Sequence, residues 1–395
     1  MFRQLEQLLI AQYLLLHPDY NATTPIDKKV AEAMEEYIYG NFGNPSSSHE
    51  LGSKTKQAVE EARKKVASLL NASPEEIIFT SGGSESNNMV LKGVGYTYQN
   101  RGKHIITSEI EHPAVISPCK FLEGNGYEVT YLSVDQDGVV DIEQLKAALT
   151  DETILISIMH ANNETGTIQP LAEIAEIVSE NNILLHTDAA QSVGKIETDV
   201  KKLGVDFLSV AGHKVYAPKG IGALYIRAGI EIEPLIHGAG HEMGKRAGTE
   251  NVIFDVALGK ACELAEDLFQ GKKADFEHNT PGEIKELRDY FQKQLQKNFK
   301  DRVILNGHPT KRLPNTLNIS FLDYSGQEIL DHLDNVALST GSACHSDLVE
   351  ISSVLKAMSV TMETGRGAVR FSLGKYTTRD EIEHVLDKLE SLREL

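Results

Sequence analysis

An acid and an amine that end two apolar, β-favouring segments are the residues whose chemistry first suggests a function. Residues 184–191 place Asp188 after one apolar run, and residues 208–214 place Lys214 after the next. Parallel strands buried on both faces have this pattern, and they present reactive groups at their carboxyl ends. A buried lysine without an anion loses its proton, as a lysine that forms a Schiff base with an aldehyde must do.

Pyridoxal phosphate is an aldehyde cofactor that suits this pair. Lys214 would bind the aldehyde, and Asp188 would keep the pyridine nitrogen protonated so that the ring can accept electrons. By themselves, the two residues are explained more simply as a solvated pair at the edge of a sheet. The other segments of the chain must decide.

A short apolar strand runs through Gly82 and Gly83 into a helix within residues 77–88. Free backbone N–H groups and the helix dipole converge at such a point and favour a bound anion. Most glycine pairs of this kind are only turns. Because serine hydroxyls surround this pair, a phosphate-binding turn and a simple turn are equally good interpretations.

Strand and helix patterns then alternate regularly, which predicts an α/β fold with a mostly parallel sheet covered by helices on both faces. The predicted strands are residues 104–108, 129–134, 154–161, 183–188, 207–211 and 221–226. Polar clusters follow four of these strands, at residues 109–112, 162–166, 188–191 and 213–214. Because the carboxyl ends of parallel strands meet at one edge, these clusters predict a shared crevice.

The length of 395 residues predicts two domains. We assign residues 19–255 to a large cofactor-binding domain and residues 256–395 to a small α+β domain. Residues 1–18 contain an apolar run that is too short to span a bilayer. We interpret this segment as a helix or strand that packs on the body or on a partner subunit, with a cleaved targeting segment as the alternative.

Cys344 lies in the small domain within a run of small residues, next to His345. A structural cysteine is more often flanked by large apolar side chains. The pattern therefore favours an accessible, activated thiol over an inert one, and small neighbours permit a mobile loop.

Composition excludes several classes of protein. The formal charge of −18 argues against binding to nucleic acid or to an anionic membrane, because both need clustered lysine and arginine. The three cysteines have no paired spacing, so neither a disulfide framework nor a zinc or other metal site is indicated. A reducing compartment, the cytoplasm, is predicted.

From Asp19 to its C-terminus, the chain resembles the cysteine desulfurases of the NifS and IscS type, which have the pyridoxal-phosphate fold of type I. The selenocysteine lyases are near relatives of these enzymes. The resemblance rests on NATTP at residues 21–25, GNPSS at 43–47, TSGGSE at 80–85, EH at 111–112, ANNETG at 161–166, DAAQ at 188–191, GHK at 212–214, RAGTEN at 246–251 and GSAC at 341–344. No single motif would suffice, but all of them in this order make coincidence a poor explanation.

The resemblance implies a role for each residue of the cofactor site. Lys214 would hold the cofactor covalently, Asp188 would pair with its ring nitrogen and Gln191 would approach its phenolic oxygen. His112 would stack on the ring and help to move protons. The phosphate would be bound by Gly83, Ser84 and His213.

The resemblance also implies how a substrate and a second subunit would be engaged. Thr249 would reach the cofactor of the partner subunit in a homodimer. Asn163 and Arg370 would bind the substrate carboxylate, which suits the planar fork of arginine. As alternatives, Asn163 caps a turn and Arg370 forms an internal ion pair.

The implied reaction converts L-cysteine to L-alanine and leaves the sulfur on Cys344 as a persulfide, for delivery to an iron–sulfur scaffold or a thiolation protein. Ala211 departs from the family, which commonly has a serine or threonine donor to the phosphate there. The alternatives are a selenocysteine lyase, an aminotransferase or other lyase that does not need Cys344, and a non-catalytic sulfur-relay scaffold.

Overall fold

The computed structural model describes residues 19–272, 278–340, 342–344 and 349–392, without the side chains of residues 342–344 and 349–350. The predicted packing of residues 1–18 lies outside these ranges. None of the helices in these ranges combines the length and the apolar character needed to cross a bilayer.

The larger sheet has seven strands and carries the predicted α/β architecture. Its strands are β1 (Ile77–Thr80), β2 (His104–Ser108), β3 (Glu128–Leu132), β4 (Thr153–Ser157), β5 (Leu184–Asp188), β6 (Phe207–Ala211) and β7 (Gly222–Ile226). Their spatial order is β1-β7-β6-β5-β4-β2-β3. The pairs from β3 to β6 are parallel, and β7 runs antiparallel to both of its neighbours. The prediction of a mostly parallel sheet is confirmed.

Both faces of the central strands are buried, which explains why their sequences are mostly apolar. Side chains alternate between the two faces of a strand. In β5, Leu184 packs in the core on one face and Leu185 in the core on the other, and Phe207 and Leu208 divide in the same way in β6. Polar side chains within these strands are buried and hydrogen-bonded to one another, as His186 is to Ser157 and Ser209, whereas Asp188 at the end of β5 lines the cavity.

Helices cover both faces of this sheet and surround a smaller one. They are α1 (Lys28–Tyr39), α2 (Glu50–Leu70), α3 (Gly83–Tyr98), α4 (Pro113–Glu123), α5 (Ile142–Ala148), α6 (Leu171–Asn181), α7 (Val200–Leu203), α8 (Val252–Phe269), α9 (Pro281–Phe299), α10 (Gly326–His332), α11 (Ser353–Ala357), α12 (Met362–Gly365) and α13 (Arg379–Ser391). Side-chain caps define several of their starts; Thr280, for example, forms a capping box with Glu283 at α9.

The smaller sheet is antiparallel and belongs to the C-terminal part of the chain. Its strands β8 (Val303–Asn306), β9 (Thr316–Phe321), β10 (Ser339–Thr340) and β13 (Ala368–Ser372) lie in the order β10-β13-β9-β8. The strands β11 (Ser342–Cys344) and β12 (Val349–Ile351) pair with each other. A separate core that includes Phe291, Phe321 and Phe371 joins this sheet to α9 and α13.

The packing of α8 bears on where the two domains divide. This helix crosses residue 255, and its buried residues Ala257, Leu258 and Cys262 belong to the core of the seven-stranded sheet. We keep the division into a large and a small domain as a proposal. The packing favours a boundary after Phe269.

Candidate active site

A cavity of about 450 Å³ opens where the carboxyl ends of the central strands meet. His112 follows β2, Asn163 follows β4, Asp188 ends β5 and Lys214 follows β6. The predicted shared crevice is thus present. Among the predicted site residues whose side chains the structure describes, all but one line it, and these are Gly83, Ser84, His112, Asn163, Asp188, Gln191, His213, Lys214 and Arg370.

The carboxylate of Asp188 is buried and held by two donors. Its Oδ1 accepts a hydrogen bond from the Ala190 backbone N–H at 2.9 Å, and its Oδ2 accepts one from Asn87 Nδ2 at 2.7 Å. Asn87 is buried on α3, one turn after Gly83. Sequence reasoning assigned it no role, although a buried asparagine one turn into the helix of a predicted anion site was a usable signal.

The amine of Lys214 donates hydrogen bonds to the backbone carbonyls of Asn21 and Ala22. Burial lowers its pKa to about 8, and the positive charge of Arg370 also lowers it. The carboxylates of Asp19 and Asp188 raise the pKa and offset part of this effect. A lysine with this pKa is partly neutral near pH 7. Its neutral fraction can act as a nucleophile or a base.

Asn21 connects Lys214 to the smaller sheet. Its backbone carbonyl accepts from Lys214 Nζ and, at 3.0 Å, from Gln191 Nε2. Its Nδ2 donates to Thr316 Oγ1 on β9 at 2.8 Å, and its backbone N–H donates to Ser372 Oγ on β13 at 3.0 Å. Asn21 was recognised only as part of a motif, yet it links both sheets at the cavity.

His112 is the N-cap residue of α4 and lines the cavity. Its Nδ1 accepts a hydrogen bond from the Ala114 backbone N–H at 3.1 Å, so Nδ1 carries no proton and Nε2 is the nitrogen that can carry one. Burial lowers the pKa of His112, with Lys214 acting in the same direction and Asp188 in the opposite one. The ring is therefore mostly neutral near pH 7, with its single proton on Nε2, where it can be donated.

The start of α3 forms the predicted anion cradle. Gly82 has φ +148°, a conformation that glycine adopts readily, and it leads directly into the first turn at Gly83 and Ser84. The first N–H groups of a helix have no partner within the helix and attract anions. Across the turn, a Cβ at Gly83 would lie 3.4 Å from the Ala211 Cβ, where a methyl group replaces the hydroxyl that is common in the family.

His213 can replace part of that missing donation. Burial lowers its pKa to about 4, and the positive charge of Lys214 adds to the effect, so the ring is neutral near pH 7. Its Nδ1 lies 3.2 Å from Thr23 Oγ1. No residue in the described ranges bonds to its Nε2, and His213 lines the cavity.

Thr249 is the one predicted residue with a described side chain that does not line the cavity. It is exposed, in a loop tied to the anion cradle by a hydrogen-bonded ion pair. Arg246 Nε donates to Glu85 Oε1 at 2.8 Å, and Glu85 Oε2 accepts from the Ser81 backbone N–H at 2.7 Å. An exposed Thr249 is compatible with its predicted contact to a partner subunit.

Arg370 lines the cavity from β13 and already has a carboxylate partner. Its Nη2 donates to Asp19 Oδ1 at 2.7 Å and to Ser339 Oγ at 2.8 Å, and its Nη1 donates to the Asn163 carbonyl at 3.0 Å. The internal ion pair considered as an alternative is thus present. The buried Nε has no partner among the described residues, and the predicted role in substrate binding stays a prediction.

The side chain of Cys344 lies outside the described part of the chain, but the start of its segment is fixed. Ser339 on β10 pairs with Arg370 on β13, and Cys344 ends the following strand β11. The other cysteines, Cys119 and Cys262, are buried, and burial raises the pKa of each thiol to about 12. These two thiols are poor nucleophiles at neutral pH.

Comparison with known proteins identifies the family. The model of the class-V aminotransferases matches residues 16–385. The chain belongs to this family. Within the family it belongs with the IscS and NifS type: a cysteine desulfurase IscS of Dictyoglomus turgidum is 52% identical over 378 residues, which cover 95% of this chain and 94% of that protein.

Solved structures agree with this assignment. A NifS-like protein, 39% identical, superimposes with a TM-score of 0.87 over 96% of this chain and 99% of its own. The protein SspA, in a complex with cysteine, is 37% identical and superimposes with a TM-score of 0.79 over 92% of this chain and 100% of its own. The resemblance that the motifs indicated is confirmed, and so is the fold.

The cavity fits the cofactor on which this family depends. A helix N-terminus suits the phosphate, a partly neutral lysine suits the aldehyde and a buried carboxylate suits the ring nitrogen. Asn87 Oδ1 and Arg370 Nε are buried in the wall without a partner among the described residues, which fits a polar ligand. Pyridoxal phosphate is therefore compatible with the residues present.

Proposed function

We propose that this protein is a cysteine desulfurase that depends on pyridoxal phosphate, converts L-cysteine to L-alanine and receives the sulfur on Cys344 as a persulfide. The observation that carries the proposal is that Lys214, with its lowered pKa, shares one cavity with Asp188 and the helix start at Gly83. The names of the relatives, and the cysteine bound to SspA, support the same substrate.

The bound cofactor would supply an electron-accepting ring that stabilises the negative charge left at the substrate Cα. Lys214 Nζ would anchor the cofactor and, once the substrate amine has displaced it, remove the Cα proton. The carbonyls of Asn21 and Ala22, which already accept hydrogen bonds from Nζ, would then hold the protonated amine. His112, which lines the cavity, would help to move protons, with Nε2 as the ring nitrogen that carries and donates the proton.

Asp188→Asn is expected to lower kcat for alanine formation by about 10³-fold, because the amide keeps the shape of the side chain but removes the charge that keeps the ring nitrogen protonated. Steady-state assays with cysteine measure the loss. Asp206→Asn is the matched control: Asp206 is buried just before β6 begins, and its Oδ2 accepts from the Leu185 backbone N–H at 2.8 Å. A kcat for Asp188→Asn within about twofold of the control would contradict the assigned role.

The rate at which the cofactor-free protein takes up pyridoxal phosphate is expected to follow the neutral fraction of Lys214. With a pKa of about 8, the rate should rise about tenfold for each pH unit below that value and level off above it. Stopped-flow absorbance of the visible band measures this rate. A rate that continues to rise up to about pH 10, as an ordinary lysine would give, contradicts the environment described for Lys214.

We infer that the active protein is a homodimer in which Thr249 contacts the cofactor of the partner subunit. The exposure of Thr249, outside the cavity of its own chain, supports this arrangement. Two aromatic side chains at and just after the end of α1, Tyr39 and Phe42, are 80% and 76% exposed, which suits an apolar contact between subunits. The persulfide would pass to an acceptor protein for iron–sulfur clusters or thiolation, and the free thiols of Cys119 and Cys262 suit the reducing cytoplasm.

A further inference from the structure

Lys195 is a partly buried lysine beside the cavity to which no function has been assigned so far. It lies four residues after Gln191 in the sequence. Its Nζ donates to Gln191 Oε1 at 2.8 Å and to Asn21 Oδ1 at 3.2 Å. Among the described residues, no carboxylate forms an ion pair with Lys195. Both of its acceptors are amide oxygens.

The surroundings of Lys195 favour a neutral amine. Burial lowers its pKa well below the ordinary value, and the positive charges of Lys214 and Arg370 act in the same direction. The titratable groups around the cavity are Asp19, Glu111, His112, Asp188, His213, Lys214 and Arg370. A neutral amine has two N–H donors, which match the two amide oxygens that it contacts.

The contact with Lys195 determines which way the Gln191 amide faces. With Oε1 turned toward Lys195, Nε2 must turn toward the Asn21 carbonyl, where it donates at 3.0 Å. Nε2 has a second N–H, and Gln191 lines the cavity. The second N–H is then the group that would meet an acceptor on a bound ligand. With the amide reversed, an oxygen would face the Asn21 carbonyl and repel it.

The same contacts reach Lys214. The Asn21 carbonyl that accepts from Gln191 also accepts from Lys214 Nζ, while the Asn21 side-chain oxygen accepts from Lys195. A second donor, Asn315 Nδ2, holds that oxygen at 2.9 Å. Lys195 therefore bonds to Gln191 and to Asn21, and Asn21 in turn bonds to the amine of Lys214. Lys195 acts on Lys214 only through Asn21.

We propose that Lys195 is a positioning residue that fixes the direction of hydrogen-bond donation by Gln191 toward the phenolic oxygen of the cofactor. The inference rests on the proposed function, because the phenolic oxygen is that of pyridoxal phosphate. A donor at this oxygen stabilises its ionised form. Fixing the donor therefore lowers the pH at which the bound chromophore changes colour.

Lys195→Met tests the proposal in the cofactor-loaded protein, because methionine keeps the length of the chain and cannot donate. The pH midpoint of the change in visible absorption is expected to rise by about one unit, since Gln191 is no longer held as a donor. Lys202→Met, at an exposed lysine that pairs with Glu197, is the control and should leave the midpoint unchanged. If Lys195→Met does not fold, Lys195→Gln, which has a shorter chain, is expected to raise the midpoint by a smaller amount.

A double-mutant cycle separates positioning from a general structural effect. Gln191→Ala should raise the midpoint by itself, and adding Lys195→Met to it should raise the midpoint no further. The role of Lys195 would be overturned if the Lys195→Met protein were coloured but had the wild-type midpoint. It would also be overturned if the midpoint shifts of the two single variants simply added in the double variant. Either result would leave the proposed function intact. A wild-type protein that stays colourless with pyridoxal phosphate would overturn the proposed function and this inference with it.

Discussion

Lys214→Ala is expected to abolish turnover of cysteine, with a loss of about 10⁴-fold or more, because one substitution removes both the covalent anchor of the cofactor and the base for the Cα proton. No other described lysine can take over this position. Lys195, the nearest by its contacts, is engaged with Gln191 and Asn21. The variant should still bind pyridoxal phosphate through the anion cradle, but without the visible band of the wild type.

Alanine formation and absorption spectra measure these two effects separately. Lys219→Ala is a suitable control, because Lys219 is exposed a few residues after Lys214 and does not line the cavity. The control should keep both colour and turnover. A Lys214→Ala protein that retains the visible band and about a tenth of the turnover would contradict the assignment of the reactive amine.

Cys344→Ala is expected to abolish sulfur release from cysteine while leaving the colour and the spectral response to cysteine in place. The Cys344 thiolate would attack the sulfur of the substrate: an S–S bond forms as the Cβ–S bond breaks, and the electrons of that bond stay on the carbon that becomes the methyl group of alanine. Cys344 follows Thr340, the last residue of β10, by four positions, and β10 pairs with β13 beside Arg370, which lines the cavity.

Sulfide and alanine formation measure the loss in this variant, which should exceed about 10³-fold. Cys119→Ala and Cys262→Ala are matched controls that should keep normal turnover, because both thiols are buried with a raised pKa. Unchanged cysteine turnover in Cys344→Ala would indicate an aminotransferase or a lyase that does not relay sulfur. Loss with cysteine but retention with selenocysteine would indicate a selenocysteine lyase.

The sequence predicted the central strands well where both faces are buried. Both β5 and β6 are completely buried, and their ends at Asp188 and Ala211 are as predicted. The prediction for β4 extended to residue 161, whereas the strand ends at Ser157. Residues 158–161 are buried, and Met159 and Ala161 among them line the cavity, so a mostly apolar pattern continues after the strand has ended.

The polar network of the site was predicted less completely, because its contacts join distant parts of the chain. The side chain of Asn21 bonds to Thr316, which is 295 positions away, and Arg370 pairs with Asp19 across 351 positions. The spacing of apolar residues predicts local structure and burial, but it does not predict which distant residues form pairs. Motif recognition located the residues that would touch the cofactor, whereas the contacts of the residues that support them, Asn21, Asn87 and Lys195, required coordinates.

Asn21 bonds at once to Lys214, to β9 and to β13, the strand that also carries Arg370. The amine that would move the proton and the guanidinium that would bind the carboxylate are therefore both positioned relative to Asn21. The bonds of this single asparagine help to set the distance between the two groups, and a shift of the small sheet would move Asn21 with it. A substrate of the wrong length would fail to meet both groups together.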